Sequence, residues 1–181
     1  MNECFISVDI ETTGPVPGLY SMFEIGATRM EKPEWDFSVR IQPLPETLYD
    51  KDALTAIGVT PAELERSNIG IAPRDAMRQL GDWVSAQCRG KSAPVFVGNN
   101  APFDWMFVAW YFEKFGIANP FGHSALDMKA YFMGKTGCSW SEATLKRMAQ
   151  YANVPFVKLP HRALDDAIIQ AEIFSHLLHK P

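Results

Sequence analysis

The stretch FISVDIETTG, residues 5–14, has the alternating pattern of a β-strand and carries two carboxylates on one side. Its apolar residues at positions 6, 8 and 10 share one face, whereas Asp9 and Glu11 share the other, because successive side chains of a strand alternate. Aspartate is a poor strand former, and both acids stand directly before a Thr-Thr-Gly turn. They are either a solvated border of a sheet or part of a site, and this stretch alone leaves both interpretations open.

The length and composition of the chain are those of an ordinary globular protein. With 181 residues, 47% of them hydrophobic and 21% charged, the chain can form one sizeable core, and we expect a single domain over residues 1–181. Its longest apolar stretch, residues 105–112, is far shorter than the roughly 18 residues that span a bilayer, so no membrane partner is expected. The N-terminus lacks the basic start of a secretory signal.

The cysteines and the net charge indicate in which compartment the protein works and which partners it is unsuited to bind. Cys4, Cys88 and Cys138 are odd in number and have no C-x-x-C spacing, so the sequence indicates neither a disulfide framework nor a zinc site. We therefore expect a reducing, cytoplasmic location. A formal net charge of −4 argues against broad non-specific binding to duplex DNA.

The hydrophobic pattern predicts strands followed by a mixture of strands and helices. The expected strands lie within 5–14, 22–30, 35–43 and 93–100, and the expected helices are 60–65, 72–88, 102–116, 139–155 and 161–180. Thr60 with Glu63, and Ser139 with Glu142, have the spacing of capping boxes at helix starts. The order predicts an α/β or α+β sheet flanked by helices.

Asp104, in the stretch NNAPFD, follows Asn100, which is a plausible helix N-cap. The helix is apolar around most of its circumference, which predicts burial. An acid in its first turn is either a partner of the helix dipole or a buried carboxylate that needs a cation.

The stretch HRALDD, residues 161–166, offers two adjacent acids whose helical positions differ. Asp166 aligns with the apolar residues at 169, 173 and 177, whereas Asp165 aligns with polar residues at 172, 176 and 179. Asp166 is thus predicted to point toward the core and Asp165 toward water. His161 precedes this helix, and a single histidine at such a position is more often structural than catalytic.

Taken together, these acids favour a shared divalent cation. Isolated buried carboxylates would shift their pKa or destabilise the fold, and one bound cation relieves this for all of them. Oxygen ligands with no cysteine and at most one histidine suit Mg²⁺ or Mn²⁺ better than zinc.

The ordered motifs DIETTG, NNAPFD and HRALDD resemble those of the DEDDh family of 3′–5′ exonucleases (DnaQ-like, RNase T-like). Further likenesses are EIGA at 24–27, and Asp127, which stands where the family often has an aspartate. The resemblance implies an RNase H-like fold, α/β, with a five-stranded mixed β-sheet flanked by α-helices. It implies two Mg²⁺ or Mn²⁺ ions and a set of functional residues: the metal ligands Asp9, Glu11, Asp104 and Asp166, with Glu11 also catalytic and His161 as general base.

Substrate contacts are expected near these motifs. The family's backbone meets the terminal sugar at the position of Thr12, and aromatic side chains could stack on terminal bases. The candidates are Phe103, Tyr20, Phe23 and Trp140. The loop 15–22 matches no subfamily pattern, and Tyr131 does not lie in the tyrosine motif of the oligoribonuclease branch.

The sequence therefore predicts a metal-dependent exonuclease that removes nucleotides from the 3′ end of single-stranded DNA or RNA, or from short 3′ overhangs. Its predicted partners are single-stranded 3′ ends, with a homodimer or a polymerase or repair partner as further options. Two other functions stay open: an inactive nucleic-acid-binding module on the same fold, and a phosphoesterase acting on nucleotides or very short oligonucleotides. A third interpretation is that the acids only decorate a core.

Overall fold

The strands form one mixed β-sheet in the computed structural model, which describes residues 3–30, 32–66, 70–90 and 93–180, without the side chains of 32–34. In chain order they are β1 (Cys4–Thr12), β2 (Met22–Arg29), β3 (Lys32–Arg40), β4 (Pro94–Gly98) and β5 (Ala125–Asp127). The sheet order is β3-β2-β1-β4-β5. The pairs β1–β2 and β2–β3 are antiparallel, whereas β1–β4 and β4–β5 are parallel. The strand that carries Asp9 and Glu11 is therefore the central one.

The helices cover both faces of this sheet. They are α1 (Lys51–Ile57), α2 (Pro61–Leu64), α3 (Pro73–Gln87), α4 (Ala101–Lys114), α5 (Met128–Thr136), α6 (Leu145–Ala152) and α7 (Ala163–His179). The sequence pattern did not predict α1, α5 or β5, and β3 ends three residues earlier than expected. Within the described ranges, no helix combines the length and apolarity needed to cross a membrane.

One of the two predicted capping boxes starts a helix. Thr60 and Glu63 form the reciprocal bonds at the start of α2, as predicted. The carboxylate of Glu142 does accept hydrogen bonds from Ser139, but these bonds close a turn before α6. The helix begins six residues later than predicted because Thr144 is its N-cap and accepts a hydrogen bond from the N–H of Arg147.

Both faces of β1 are buried, so the acids do not lie at a solvated border. Ile6, Val8 and Ile10 pack with side chains of α3 and α4 in one core cluster. Ser7 and Glu11, on the opposite face, are also buried, because α7 lies across β1 and β2. A central strand with a parallel neighbour normally has helices on both faces.

The first turn of α7 lies against the backbone of β2 at Gly26. A Cβ atom on Gly26 would be 2.2 Å from the nitrogen of Leu164, so a larger residue there would push the helix away. Ala163, Ala167 and Ala171 of α7 are buried, and these small side chains also permit a short distance to the sheet. Because Gly26 pairs with Asp9 across β1 and β2, this approach brings α7 next to the acidic strand.

A disulfide joins Cys4 and Cys88, so the expectation that the cysteines form no disulfide framework is wrong. The two residues are 84 positions apart in sequence, yet their Cα atoms lie 5.6 Å apart, because α3 packs on the sheet with its last turn beside the start of β1. Cys138 is free. The cytoplasmic prediction rested partly on the cysteines, and that premise no longer holds. The compartment itself stays a prediction.

Candidate active site

The first two acids stand where β1 meets a turn. The pairing of β1 with β2 shifts between Glu11 and Thr12, so the strand changes direction directly after the second acid. The hydroxyl of Thr12 donates to the carbonyl oxygen of Gly14 at 2.9 Å and closes the turn. Both carboxylates thus project from the last residues of the central strand, on the face that α7 covers.

Asp104 reaches this strand from the first turn of α4. Its Oδ1 accepts a hydrogen bond of 3.2 Å from the N–H of Ile10, the residue between Asp9 and Glu11. This bond fixes the third acid beside the first two. Asp104 is buried, as its position on an apolar helix predicts.

The start of α4 is held by Asp127 instead of Asn100. Asn100 stands at the N-cap position, as predicted, with a left-handed backbone at a φ of 65°, but its side chain makes no capping bond. Asp127 Oδ1 accepts the N–H of Ala101 at 2.9 Å, and its Oδ2 accepts the N–H of Ala130. One carboxylate at the end of β5 therefore holds the starts of both α4 and α5.

Asp166 and Asp165 lie on different faces of α7, as helical periodicity predicts. Asp166 is 2% exposed, whereas Asp165 is half-exposed and forms an ion pair of 3.2 Å with Arg162. The N–H of Ala163 donates to Glu24 Oε1 of β2 at 3.2 Å. Glu24 pairs directly opposite Glu11, so this bond fixes the start of α7 next to the acids.

His161 lies just before α7 and faces two of the acids. Ligand atoms of Glu11, His161 and Asp166 all lie within 4.8 Å of one another. The histidine is exposed and has a left-handed backbone with φ of 56°, which few residues other than glycine adopt readily. Asp9 and Asp104 are not part of this set of three. Both are close enough to interact electrostatically with Glu11.

Burial and mutual repulsion raise the pKa of the strand acids. Burial holds the pKa of Asp9 well above its usual range, and Asp104, Glu11 and Asp166 raise it further. Burial also raises the pKa of Glu11 to about 8, with added repulsion from Asp166, Glu24 and Asp104. Like charges this close favour proton sharing or a bound cation.

The two helix acids are shifted in the same direction. Burial raises the pKa of Asp104 to about 8, although backbone N–H groups, including that of Ile10, lower it. Burial raises the pKa of Asp166 to about 6, against the lowering effect of the His161 charge and backbone. The buried Oδ1 of Asp166 has no hydrogen-bond partner among the described residues. A hard divalent cation fits this unpaired oxygen and the oxygen-rich donor set.

Gln170 and Glu24 also belong to this cluster, and the sequence pattern did not identify them. The side chain of Gln170 donates from Nε2 to Asp9 Oδ1 at 2.7 Å. The signal for Gln170 was its position, four residues after Asp166 and hence on the same face of α7. Glu24 lay within the noted EIGA stretch, without an assigned role.

The candidate substrate residues have different surroundings. Thr12 is buried and its hydroxyl is bonded within the turn. Tyr20 is half-buried, with its ring against the backbone of Gly14. Phe23 is buried with Leu54 and Leu64, so the structure contradicts its role as a stacking surface.

Phe103 and Trp140 keep part of their rings accessible. Phe103 is half-buried next to Phe107, with ring centroids 5.5 Å apart. Trp140 is 49% exposed, and the Nζ of Lys129 lies 3.9 Å from its ring centroid.

The fold and the acidic cluster agree with a comparison against protein families. Residues 6–174 match the RNase_T model, described as exonuclease. The chain belongs to this exonuclease family. It is also 41% identical over 175 residues to the 3′-5′ DNA exonuclease Cap18 of Escherichia coli, a match that covers 95% of this chain and 90% of Cap18. The predicted enzyme class, a 3′–5′ exonuclease, is confirmed.

Solved structures confirm the predicted fold of this exonuclease. The nuclease domain of 3′hExo, a DEDDh family member bound to rAMP, superposes with a TM-score of 0.76 at 15% identity and covers 97% of this chain and 92% of that domain. E. coli exonuclease I in complex with a dT13 oligonucleotide gives a TM-score of 0.69 at 17% identity. The match covers 97% of this exonuclease but 41% of exonuclease I. The predicted RNase H-like, five-stranded mixed sheet and the DEDDh resemblance are confirmed, and exonucleases of this family depend on divalent metal ions.

Proposed function

We propose that this exonuclease removes nucleotides one at a time from the 3′ end of single-stranded DNA and of short 3′ overhangs. The observation that carries the proposal is the convergence of four carboxylates and one histidine at the end of the central strand. The name of Cap18, a DNA exonuclease 41% identical to this chain, favours DNA over RNA.

Asp9, Glu11, Asp104 and Asp166 are the residues that would hold two Mg²⁺ or Mn²⁺ ions. The unpaired Oδ1 of Asp166 and the raised pKa values of the cluster support this assignment, because each indicates negative charge that the protein alone does not balance. Divalent ions held by these carboxylates would activate a water molecule and stabilise the departing 3′ oxygen. Glu11 is also assigned a catalytic role, because it is the acid nearest in sequence to the turn where the terminal nucleotide would bind.

His161 is the proposed general base. An exposed imidazole within reach of Glu11 and Asp166 can accept the proton of the attacking water and release it to solvent. The two carboxylates stabilise the imidazolium that forms. In this proposal the acids hold the metal ions, and His161 transfers the proton.

The substrate would be bound by the turn after β1 and by aromatic rings. The backbone of Thr12 would contact the terminal sugar, while Phe103 and Tyr20 would stack against terminal bases. Trp140 combines an accessible ring with the ammonium group of Lys129, which suits a base and a phosphate further along the strand. Stacking of this kind contributes about 1–3 kcal/mol per base.

A preference for single strands is proposed from the charge of the chain. Its formal net charge is −4, and two divalent ions would bring it close to zero. A chain with no excess of positive charge can hold a few phosphates but should not bind tightly along a duplex. We expect higher rates on single strands and short overhangs than on blunt duplexes.

The test uses 5′-labelled DNA and RNA of equal sequence with Mg²⁺, Mn²⁺ or EDTA. We expect a ladder that shortens from the 3′ end of the DNA, is abolished by EDTA, and is slowed by at least about 10²-fold in His161→Ala. His176→Ala is the matched control, because His176 is an exposed histidine whose ring Nδ1 bonds to the carbonyl of Glu172 on its own helix. Cleavage that persists in EDTA, or a His161→Ala rate within twofold of wild type, contradicts the mechanism. Digestion of RNA faster than of DNA would contradict the assignment of DNA as the substrate, but not the mechanism.

A further inference from the structure

We propose that Gln170 is a positioning residue that orients the carboxylate of Asp9 for metal binding. The inference rests on the proposed function, since it assigns Asp9 as a metal ligand. It adds a role for a neutral side chain of α7 that bonds to the acids without ionising.

The amide of Gln170 is bonded at both ends. Its Nε2 donates to Asp9 Oδ1 at 2.7 Å, and its Oε1 accepts the N–H of Asn99 at 2.8 Å. The side chain is 1% exposed, so no solvent competes for either bond. Because one end must donate and the other must accept, the two partners fix the orientation of the amide.

These bonds leave Asp9 in one orientation relative to the other acids. Oδ1 of Asp9 is directed toward Gln170, and the second carboxylate oxygen is left for another partner. Without the amide, the carboxylate of Asp9 would be free to rotate away from the neighbouring acids, whose negative charges raise its pKa. Hydrogen bonds from such supporting residues orient metal ligands, and their loss typically lowers metal affinity 10–100-fold.

The neutral charge of the amide matters as much as its N–H. A lysine or arginine in the same place would also donate to Asp9, but its positive charge would offset the acids and compete with a cation. Gln170 provides the donor and leaves the full negative charge of the cluster available to the metal.

The second bond couples Asp9 to the junction between β4 and α4. Asn99 follows β4 directly and stands two residues before α4, the helix that carries Asp104. Gln170 and Asp166 lie one turn apart on α7. A single side chain of α7 therefore connects Asp9 of β1 to the segment that leads into α4.

The test measures binding of Mn²⁺ alone, by electron paramagnetic resonance of the free ion, in Gln170→Met and in two comparison variants. Methionine keeps the size of the side chain and removes both bonds. Ser7→Ala is the matched control, because Ser7 is buried on the same face of β1 and its hydroxyl has no hydrogen-bond partner among the described residues. Gln170→Lys keeps a donor and adds the charge. Thermal unfolding in EDTA is recorded for each variant at the same pH.

We expect Gln170→Met to bind Mn²⁺ about 10-fold more weakly than wild type or Ser7→Ala, and Gln170→Lys to bind more weakly still. The Mn²⁺ concentration for half-maximal activity should rise by a similar factor in Gln170→Met, with most of kcat recovered at saturating metal. Mn²⁺ affinity within twofold of wild type in Gln170→Met, with a lower melting temperature, would overturn the inference and leave a purely structural role. If Gln170→Met does not fold, Gln170→Lys decides: unchanged Mn²⁺ affinity in that variant contradicts the inference. Failure of wild type itself to bind Mn²⁺ would instead contradict the proposed function.

Discussion

The two faces of β1 are both buried but have opposite chemistry. One face presents Ile6, Val8 and Ile10 to α3 and α4 in an apolar core, where burial stabilises the fold. The other presents Asp9 and Glu11 to α7, where burial raises their pKa values and opposes folding of the charged form. One strand therefore provides stability on one side and part of the candidate active site on the other. Substitutions on the two faces should accordingly have different consequences.

The largest effect is expected from Asp104→Asn, which removes one carboxylate of the acidic cluster. Loss of this carboxylate should lower the exonuclease rate by at least about 10²-fold, because a metal ligand should matter at least as much as the residues that support it. In EDTA the variant should unfold at the same or a higher temperature, because the asparagine amide keeps an oxygen acceptor for the N–H of Ile10 and has no charged form to bury. Rates are measured on a labelled single strand and unfolding by circular dichroism. A large loss of stability in EDTA with a normal exonuclease rate would show that Asp104 stabilises the fold and does not serve catalysis.

Ile6→Ala should have the reverse effect. It removes a fully buried side chain from the apolar face and should lower the free energy of unfolding by about 2–5 kcal/mol. The rate per folded molecule should stay within about twofold of wild type, because Ile6 points away from the acids. Urea unfolding at a fixed Mg²⁺ concentration, together with initial rates, checks both parts. A specific rate that falls tenfold in fully folded protein would show that the two faces are not separable.

The disulfide belongs to the stabilising side, since Cys4 and Cys88 lie in the apolar cluster. Replacing both with alanine should lower the free energy of unfolding by about 2–4 kcal/mol, because the closed loop is long. The specific activity of the folded double variant should be unchanged. Melting temperatures with and without reductant give the comparison: reductant should lower that of wild type and not that of the double variant. Equal melting temperatures for reduced and oxidised wild type would contradict the prediction.

The pH dependence of stability should distinguish the acidic face from an ordinary buried surface. The folded-state pKa is about 8 for Glu11 and for Asp104, against usual values near 4, so the folded state binds protons more tightly than the unfolded chain. In EDTA this contribution is fully present below about pH 4 and is lost as the pH rises through 8. We expect the free energy of unfolding to fall between pH 5 and 8, by roughly 1.4 kcal/mol per pH unit for each acid that keeps its proton in the folded state. Saturating Mg²⁺ should remove most of that fall, and an identical fall with Mg²⁺ would argue against cation binding.

The smallest effect is expected for Asp165→Asn, one residue from a proposed ligand. Asp165 is half-exposed and paired with Arg162, and exposed ion pairs contribute about 0–1 kcal/mol. Activity should stay within twofold of wild type, whereas Asp166→Asn should lose at least about 10²-fold. Parallel rate assays of the two variants test this contrast. Similar losses in both would mean that the helical face was assigned wrongly.

The sequence predicted the parts of this site that depend on local periodicity. Alternation placed Asp9 and Glu11 on one face of β1, and helical spacing separated Asp166 from Asp165; burial and ion pairing bear out that separation. The resemblance to exonucleases then predicted the five-stranded mixed sheet that brings the motifs together. These features were accessible because they repeat every two or every three to four residues.

The partners that depend on the folded chain were not predicted. Cys4 meets Cys88 across 84 residues, and Gln170 meets Asp9 across 161. Asp127 replaces Asn100 at the start of α4, although Asn100 stands in the usual position for a cap. In each case the pairing follows from packing of α3, α5 or α7 on the sheet, which no local pattern of the sequence specifies.

The most direct test of the central claim is a crystal structure of the protein grown with Mn²⁺, with the ions located by anomalous scattering. We expect peaks among the carboxylates of Asp9, Glu11, Asp104 and Asp166, within coordination distance of the Oδ1 of Asp166. An occupied Mn²⁺ site elsewhere and no peak among these four acids would contradict the metal-dependent mechanism.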